Sequence, residues 1–146
     1  MSAVASDCVV DASVAIKLFI AEPLSEKASE LFQQLSLTVP PHFHAPDLFY
    51  IECANILWKN TRRHGLRSDQ ARLALTRLDA LPLHVTSMLS LADDALSLAI
   101  ALNITAYDAA YVALAKRLGV AMITADEKLV RSVASTAHQV FWLGDI

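Results

Sequence analysis

Four acidic residues, Asp11, Glu52, Asp108 and Asp126, occupy positions where a carboxylate can do chemistry. Asp11 ends the apolar run Cys8-Val9-Val10, and Asp126 follows the run Val120 to Thr124. A short apolar run that stops at an acid reads as a buried strand delivering a carboxylate at its end. Asp108 lies three residues after Thr105, at the start of a helical pattern. Glu52 sits inside Leu48-Phe49-Tyr50-Ile51-Glu52-Cys53-Ala54-Asn55-Ile56-Leu57-Trp58, which leaves it little polar face. A carboxylate buried alone is costly and tends to take up a proton. No basic residue lies one turn before Glu52, and Asn55, at i+3 on the same helix face, is its nearest expected donor.

Each Asp also has a simpler explanation. Asp11 and Asp126 precede helices and can cap them, and Thr105 with Asp108 has capping-box spacing. On that reading the chain is a catalytically inactive binding module. If the four acids converge instead, their mutual repulsion demands a cation. The donors are then all oxygen, with no His or Cys at suitable spacing, which selects Mg²⁺ or Mn²⁺ over Zn²⁺. Such ions serve phosphoryl chemistry. A phosphatase that forms an aspartyl-phosphate is disfavoured, because Ser13 stands where such enzymes commonly carry a second Asp. A receiver-type switch is disfavoured because no acidic pair ends the first strand.

Positioning these acids requires a specific set of elements. The pattern predicts strands at Cys8–Val10, Phe43–Ala45, Leu83–Thr86, Val120–Thr124 and Val140–Leu143. It predicts helices over Ala12–Ile20, Ser25–Leu35 (capped by Ser25), Leu48–His64, Ser68–Leu81, Ser90–Leu102, Ala106–Leu118 and Glu127–Ser135. Gly65 and Gly119 are expected C-terminal stops. Alternating apolar strands and helices imply a three-layer α/β/α sandwich with a mostly parallel sheet, whose sites form beyond the carboxyl ends of the strands. His42 and His44 flank a Pro-rich turn and are assigned to loop structure rather than metal. Asp93 and Asp94 are expected to be a solvated helix start.

Length and composition agree with one domain spanning residues 1–146. Hydrophobic residues at 55% and charged residues at 18% exclude a disordered chain. The apolar excess points to a homodimer interface and a groove for a partner helix, with Trp58 and Trp142 as either core or interface. No apolar run has the length of a membrane span, and Met1 to Asp7 shows no signal-peptide pattern. Cys8 and Cys53 lie in apolar runs and are expected to be free core thiols, so the expected compartment is the cytoplasm. The net charge of −3 argues against nucleic-acid binding by bulk charge. However, Lys59, Arg62, Arg63, Arg67, Arg72 and Arg77 are half of all the Lys and Arg, and only Asp69 opposes them in that stretch. Such a local patch can follow a phosphate backbone or simply edge a solvated helix pair.

The ordered set Val10-Asp11-Ala12-Ser13-Val14, Glu52 with Asn55, Tyr107-Asp108-Ala109 and Thr124-Ala125-Asp126 resembles the PIN-domain family. It is most similar to the VapC-type toxins of toxin–antitoxin pairs, and the resemblance spans nearly the whole chain. It implies an Mg²⁺- or Mn²⁺-dependent endoribonuclease, a frequent homodimer, and a small VapB-type antitoxin partner. Asp11, Glu52, Asp108 and Asp126 match the family's metal-binding acids. Ser13 and Thr124 match hydroxyls beside them, and Asn55 matches a supporting amide. Lys59, Arg62, Arg63 and Arg67 are the expected contacts to flanking RNA phosphates. A PIN nuclease of RNA processing or decay fits the same residues.

Overall fold

The computed structural model describes residues 6–146; the N-terminal reading of Met1 to Asp7 therefore falls mostly outside the described residues. Five strands form one parallel sheet in the order β3-β2-β1-β4-β5. They are β1 (Cys8–Val10), β2 (Phe43–Pro46), β3 (His84–Thr86), β4 (Ala121–Thr124) and β5 (Val140–Trp142). The helices are α1 (Ala12–Ala15), α2 (Ser25–Gln33), α3 (Leu48–Arg63), α4 (Ser68–Asp79), α5 (Met88–Leu102), α6 (Ala106–Leu118) and α7 (Glu127–Val133).

Successive strand residues point to opposite faces, so each strand feeds two cores. Val10, Cys8, Phe43, Ala45 and Ile123 join α1 to α4 in one core. Val9, Met122 and Val140 join α5, α6 and α7 in the other. This is the expected three-layer sandwich. The central strands β1 and β4 pair with Cys8 opposite Ala121 and Val10 opposite Ile123. The order in which strands are added to the sheet reverses between them, so the crevice at their carboxyl ends is the natural place for a site.

Several local expectations need correction. The helix after Asp11 is one α-turn ending at Ala15, continued by a 3₁₀ turn over Ile16–Leu18. Ser25 is the first residue of α2 and not its cap; Leu24, at φ 70°, holds the cap position. The Ser25 hydroxyl instead accepts from the Glu22 amide and donates to the Ile20 carbonyl. His44 lies within β2, not in the flanking loop. Gly65 and Gly119 adopt φ near 69° and 67° beyond α3 and α6, the left-handed geometry that stops a helix at low cost.

Cys8 and Cys53 are free and buried, and burial pushes the Cys8 thiol up to about 12. Among the described residues no single helix is long and apolar enough to cross a membrane. Together α5 and α6 are apolar, but they bend by 110° at residues 103–105, and α6 is largely core.

Candidate active site

Asp11 leaves β1 at the point where the chain turns into α1. Its backbone has the extended geometry of a helix cap, yet its side chain makes no cap hydrogen bond. The carboxylate turns the other way. Its Oδ2 accepts from the Ser13 hydroxyl at 2.8 Å and from the Thr124 hydroxyl at 2.8 Å. Thr124 is the last residue of β4 and is fully buried. Its Oγ1 also accepts from the Asp126 amide, and the Ser13 Oγ accepts from the Ala125 amide. The two hydroxyls thus tie the end of β1 to the turn after β4. Burial raises the Asp11 pKa; the Ser13 and Thr124 hydrogen bonds offset this in part, and the Asp126 charge adds to it.

Asp126 does cap α7, with Oδ1 accepting from the Lys128 and Leu129 amides. The capping explanation therefore accounts for one Asp126 oxygen and fails for Asp11. Thr105 caps α6 by accepting from the Asp108 amide. Burial, then the Asp11 and Asp126 charges, push Asp108 up to about 6.

Glu52 projects from the inner half of α3. Its partner is Tyr111, whose hydroxyl donates to Oε1 at 2.6 Å; the bond expected from Asn55 is not what holds it. Tyr111 is fully buried on α6, one turn beyond Asp108, so the same helix face delivers an acid and the phenol that orients another. Burial pushes Glu52 up to about 7, the Tyr111 hydrogen bond opposes this, and the Asp11 and Asp108 charges add to it. Sequence reasoning missed Tyr111. Its signal was the i+3 spacing from Asp108.

All four acids line one cleft of about 680 Å³, together with Ser13, Asn55, Lys59 and Tyr107. None of the four is in an ion pair among the described residues. Burial in the cleft raises the proton affinity of Asp11, Glu52 and Asp108, and the neighbouring carboxylate charges add to it. No three acids surround a single metal-sized point as they stand. Mg²⁺ takes one or two carboxylates and keeps several waters, so it needs no all-protein cage. The oxygen-only donor set suits the same class of ion.

Of the basic residues, only Lys59 reaches the cleft wall. Arg62 lies over the exposed Trp58 ring, 5.2 Å from its centroid. Arg63 is exposed at the end of α3, and Arg67 is held by Asp69 in a surface pair at 3.1 Å.

A doubly wound parallel sheet with acids at its central switch point defines a class. A family model for the PIN domain matches residues 8–134, and the chain belongs to that family. Over 125 residues it is 40% identical to Ribonuclease VapC3 of Pyrobaculum aerophilum, covering 83% of this chain and 90% of that protein. Among solved structures, PAE2754 of Pyrobaculum aerophilum superposes with a TM-score of 0.68 at 23% identity, covering 99% of this chain and 94% of that one. A toxin–antitoxin complex from Klebsiella pneumoniae superposes with a TM-score of 0.59 at 17% identity, covering 92% and 95%. At these identities the two structures speak for the fold.

Proposed function

We propose that residues 1–146 form a single PIN-like nuclease domain, a Mg²⁺- or Mn²⁺-dependent endoribonuclease acting as the toxin of a VapBC-type pair. The observation that carries this reading is the meeting of Asp11, Glu52, Asp108 and Asp126, from four separate segments, in one cleft with no paired cation. The 40% identity to a ribonuclease over most of both chains supports the choice of reaction.

Asp11 is the anchor of the site, fixed by Ser13 and Thr124. Glu52 faces it from α3, fixed by Tyr111. Asp108 and the uncapped oxygen of Asp126 complete the ring of acids. Bound Mg²⁺ or Mn²⁺ would supply charge neutralisation at the scissile phosphate and a more acidic attacking water. A carboxylate of raised proton affinity, such as Glu52, is suited to accept that water's proton near neutral pH. Lys59, on the cleft wall, holds a flanking phosphate, with Arg62, Arg63 and Arg67 extending the track along α3 and the following loop.

A VapB-type antitoxin has apolar surface to cover beside the cleft, where Ile51 is 67% and Trp58 52% exposed. On α5, Leu89, Leu96 and Ile100 form an exposed stripe suited to a homodimer. We place the protein in the cytoplasm, where Cys8 and Cys53 stay reduced as free thiols.

The test is RNA cleavage by the wild type and Asp11→Asn with Mg²⁺, with Mn²⁺ and with EDTA. The wild type should cut with either ion and lose activity in EDTA, and Asp11→Asn should be slowed at least about 100-fold. Equal cleavage in all conditions refutes the mechanism.

A further inference from the structure

A second group of ligand-type side chains lies at the other end of the sheet. Asp7 stands just before β1, His42 just before β2, His44 within β2, and His84 opens β3. Three of the chain's five histidines therefore meet where the strands begin, away from the acids where strands end.

Backbone register makes this meeting. His44 and His84 are direct partners in the parallel β2–β3 pair. His42 lies two residues before His44, so both side chains leave the same side of an extended chain, opposite Phe43 and Ala45. The ring centroids are 4.8 Å apart for His42 and His84, 5.2 Å for His44 and His84, and 6.4 Å for His42 and His44. Imidazoles on a tetrahedral zinc ion, with Zn–N of about 2.0–2.1 Å, place their ring centres about 5 Å apart. Two of the three separations already have that value.

Asp7 supplies an independent observation. Its Oδ1 accepts from the His42 amide at 2.7 Å, and its Oδ2 lies 3.5 Å from His42 Nδ1. A carboxylate behind Nδ1 favours the tautomer that leaves Nε2 free, the arrangement found behind metal-bound histidines. As they stand, the rings do not converge on one metal-sized point. His42 and His84 are exposed and meet edge to face, so rotation of these two side chains is the motion that binding requires.

We propose that His42, His44 and His84 bind a borderline divalent cation of the Zn²⁺ type, with Asp7 orienting His42, independently of the acid cleft. Imidazole donors favour Zn²⁺, Ni²⁺ or Cu²⁺, whereas the oxygen donors of the cleft favour Mg²⁺ or Mn²⁺, so the two ends of the sheet sort ions by donor chemistry. The ion joins the edge strand β3 to β2 and, through Asp7, to the start of β1. Its binding energy therefore adds to the stability of the fold.

The test is calorimetric titration of Zn²⁺ into the full chain, carrying no polyhistidine tag, in excess Mg²⁺. Wild type, Asp11→Asn, His42→Ala and His84→Ala are compared, and each is melted with and without Zn²⁺. One Zn²⁺ per chain is expected in the wild type and in Asp11→Asn, with a raised Tm. Both histidine variants, altered at exposed positions, should fold and bind at least tenfold more weakly. The proposal is overturned if the wild type takes up no Zn²⁺, if both histidine variants bind as the wild type does, or if Asp11→Asn abolishes binding.

Discussion

Replacing Glu52 by Gln should make the metal-free protein more stable at pH 8 while removing its response to Mg²⁺. Glu52 has a folded pKa of about 7 against an ordinary 4.5. A carboxylate shifted upward stabilises the fold at acid pH, where it is protonated in both states, and that contribution is lost as pH rises through about 7. Each pH unit of the difference is about 1.4 kcal/mol, which sets an upper bound of about 3.5 kcal/mol. Partial solvent access and shared titration with Asp11 and Asp108 reduce this to about 1–2 kcal/mol. Gln keeps an acceptor for the Tyr111 hydroxyl, so the 2.6 Å hydrogen bond has a substitute. Tm at pH 8 should rise by about 2–8 °C for a chain of this size, and the gain should vanish near pH 4.5, where Glu52 is neutral. The assay is thermal melting across this pH range with and without Mg²⁺. An unchanged or lower Tm at pH 8, or equal Mg²⁺ stabilisation of both proteins, refutes the idea that Glu52 carries uncompensated charge facing the other acids.

Tyr111→Phe removes the donor that holds Glu52 and should shift the rising limb of the cleavage pH profile to more alkaline pH, by the tenfold to hundredfold change in proton affinity that loss of a bond to a charged group, about 1.5–3 kcal/mol, implies; an unshifted profile refutes the orienting role. Lys59→Ala should weaken RNA binding similarly for all sequences and reduce the slope of log affinity against log salt by about 1; an unchanged slope removes Lys59 from the phosphate track.

The two acids that end strands were legible because strand and acid are adjacent in sequence: Cys8-Val9-Val10-Asp11 states both the element and what it delivers. Glu52 was legible as an anomaly in an apolar helix. What resolves the anomaly was not, because Tyr111 is 59 residues away and meets it only when α6 packs across the sheet from α3. The sequence suggested Asn55 because helical spacing shows neighbours on one helix and not those facing it. The histidine group was hidden for the same reason. His42 and His44 looked like loop residues beside prolines, and only the β2–β3 register brings His84 to them. The Ser25 cap failed at a finer scale, since the left-handed turn at Leu24 moves the helix start by one residue.

The strand order carries a consequence for synthesis. Chains made on the ribosome emerge from the N-terminal side, yet β1, which precedes the other four described strands in sequence, is flanked by β2 and by the later strand β4. Until β4 emerges, Asp11 lacks the Thr124 hydroxyl that fixes it, and Asp126 does not yet exist in the chain. No truncated product stopping before residue 126 contains all four acids, so the whole cleft forms only after β4 and the turn that follows it have been made.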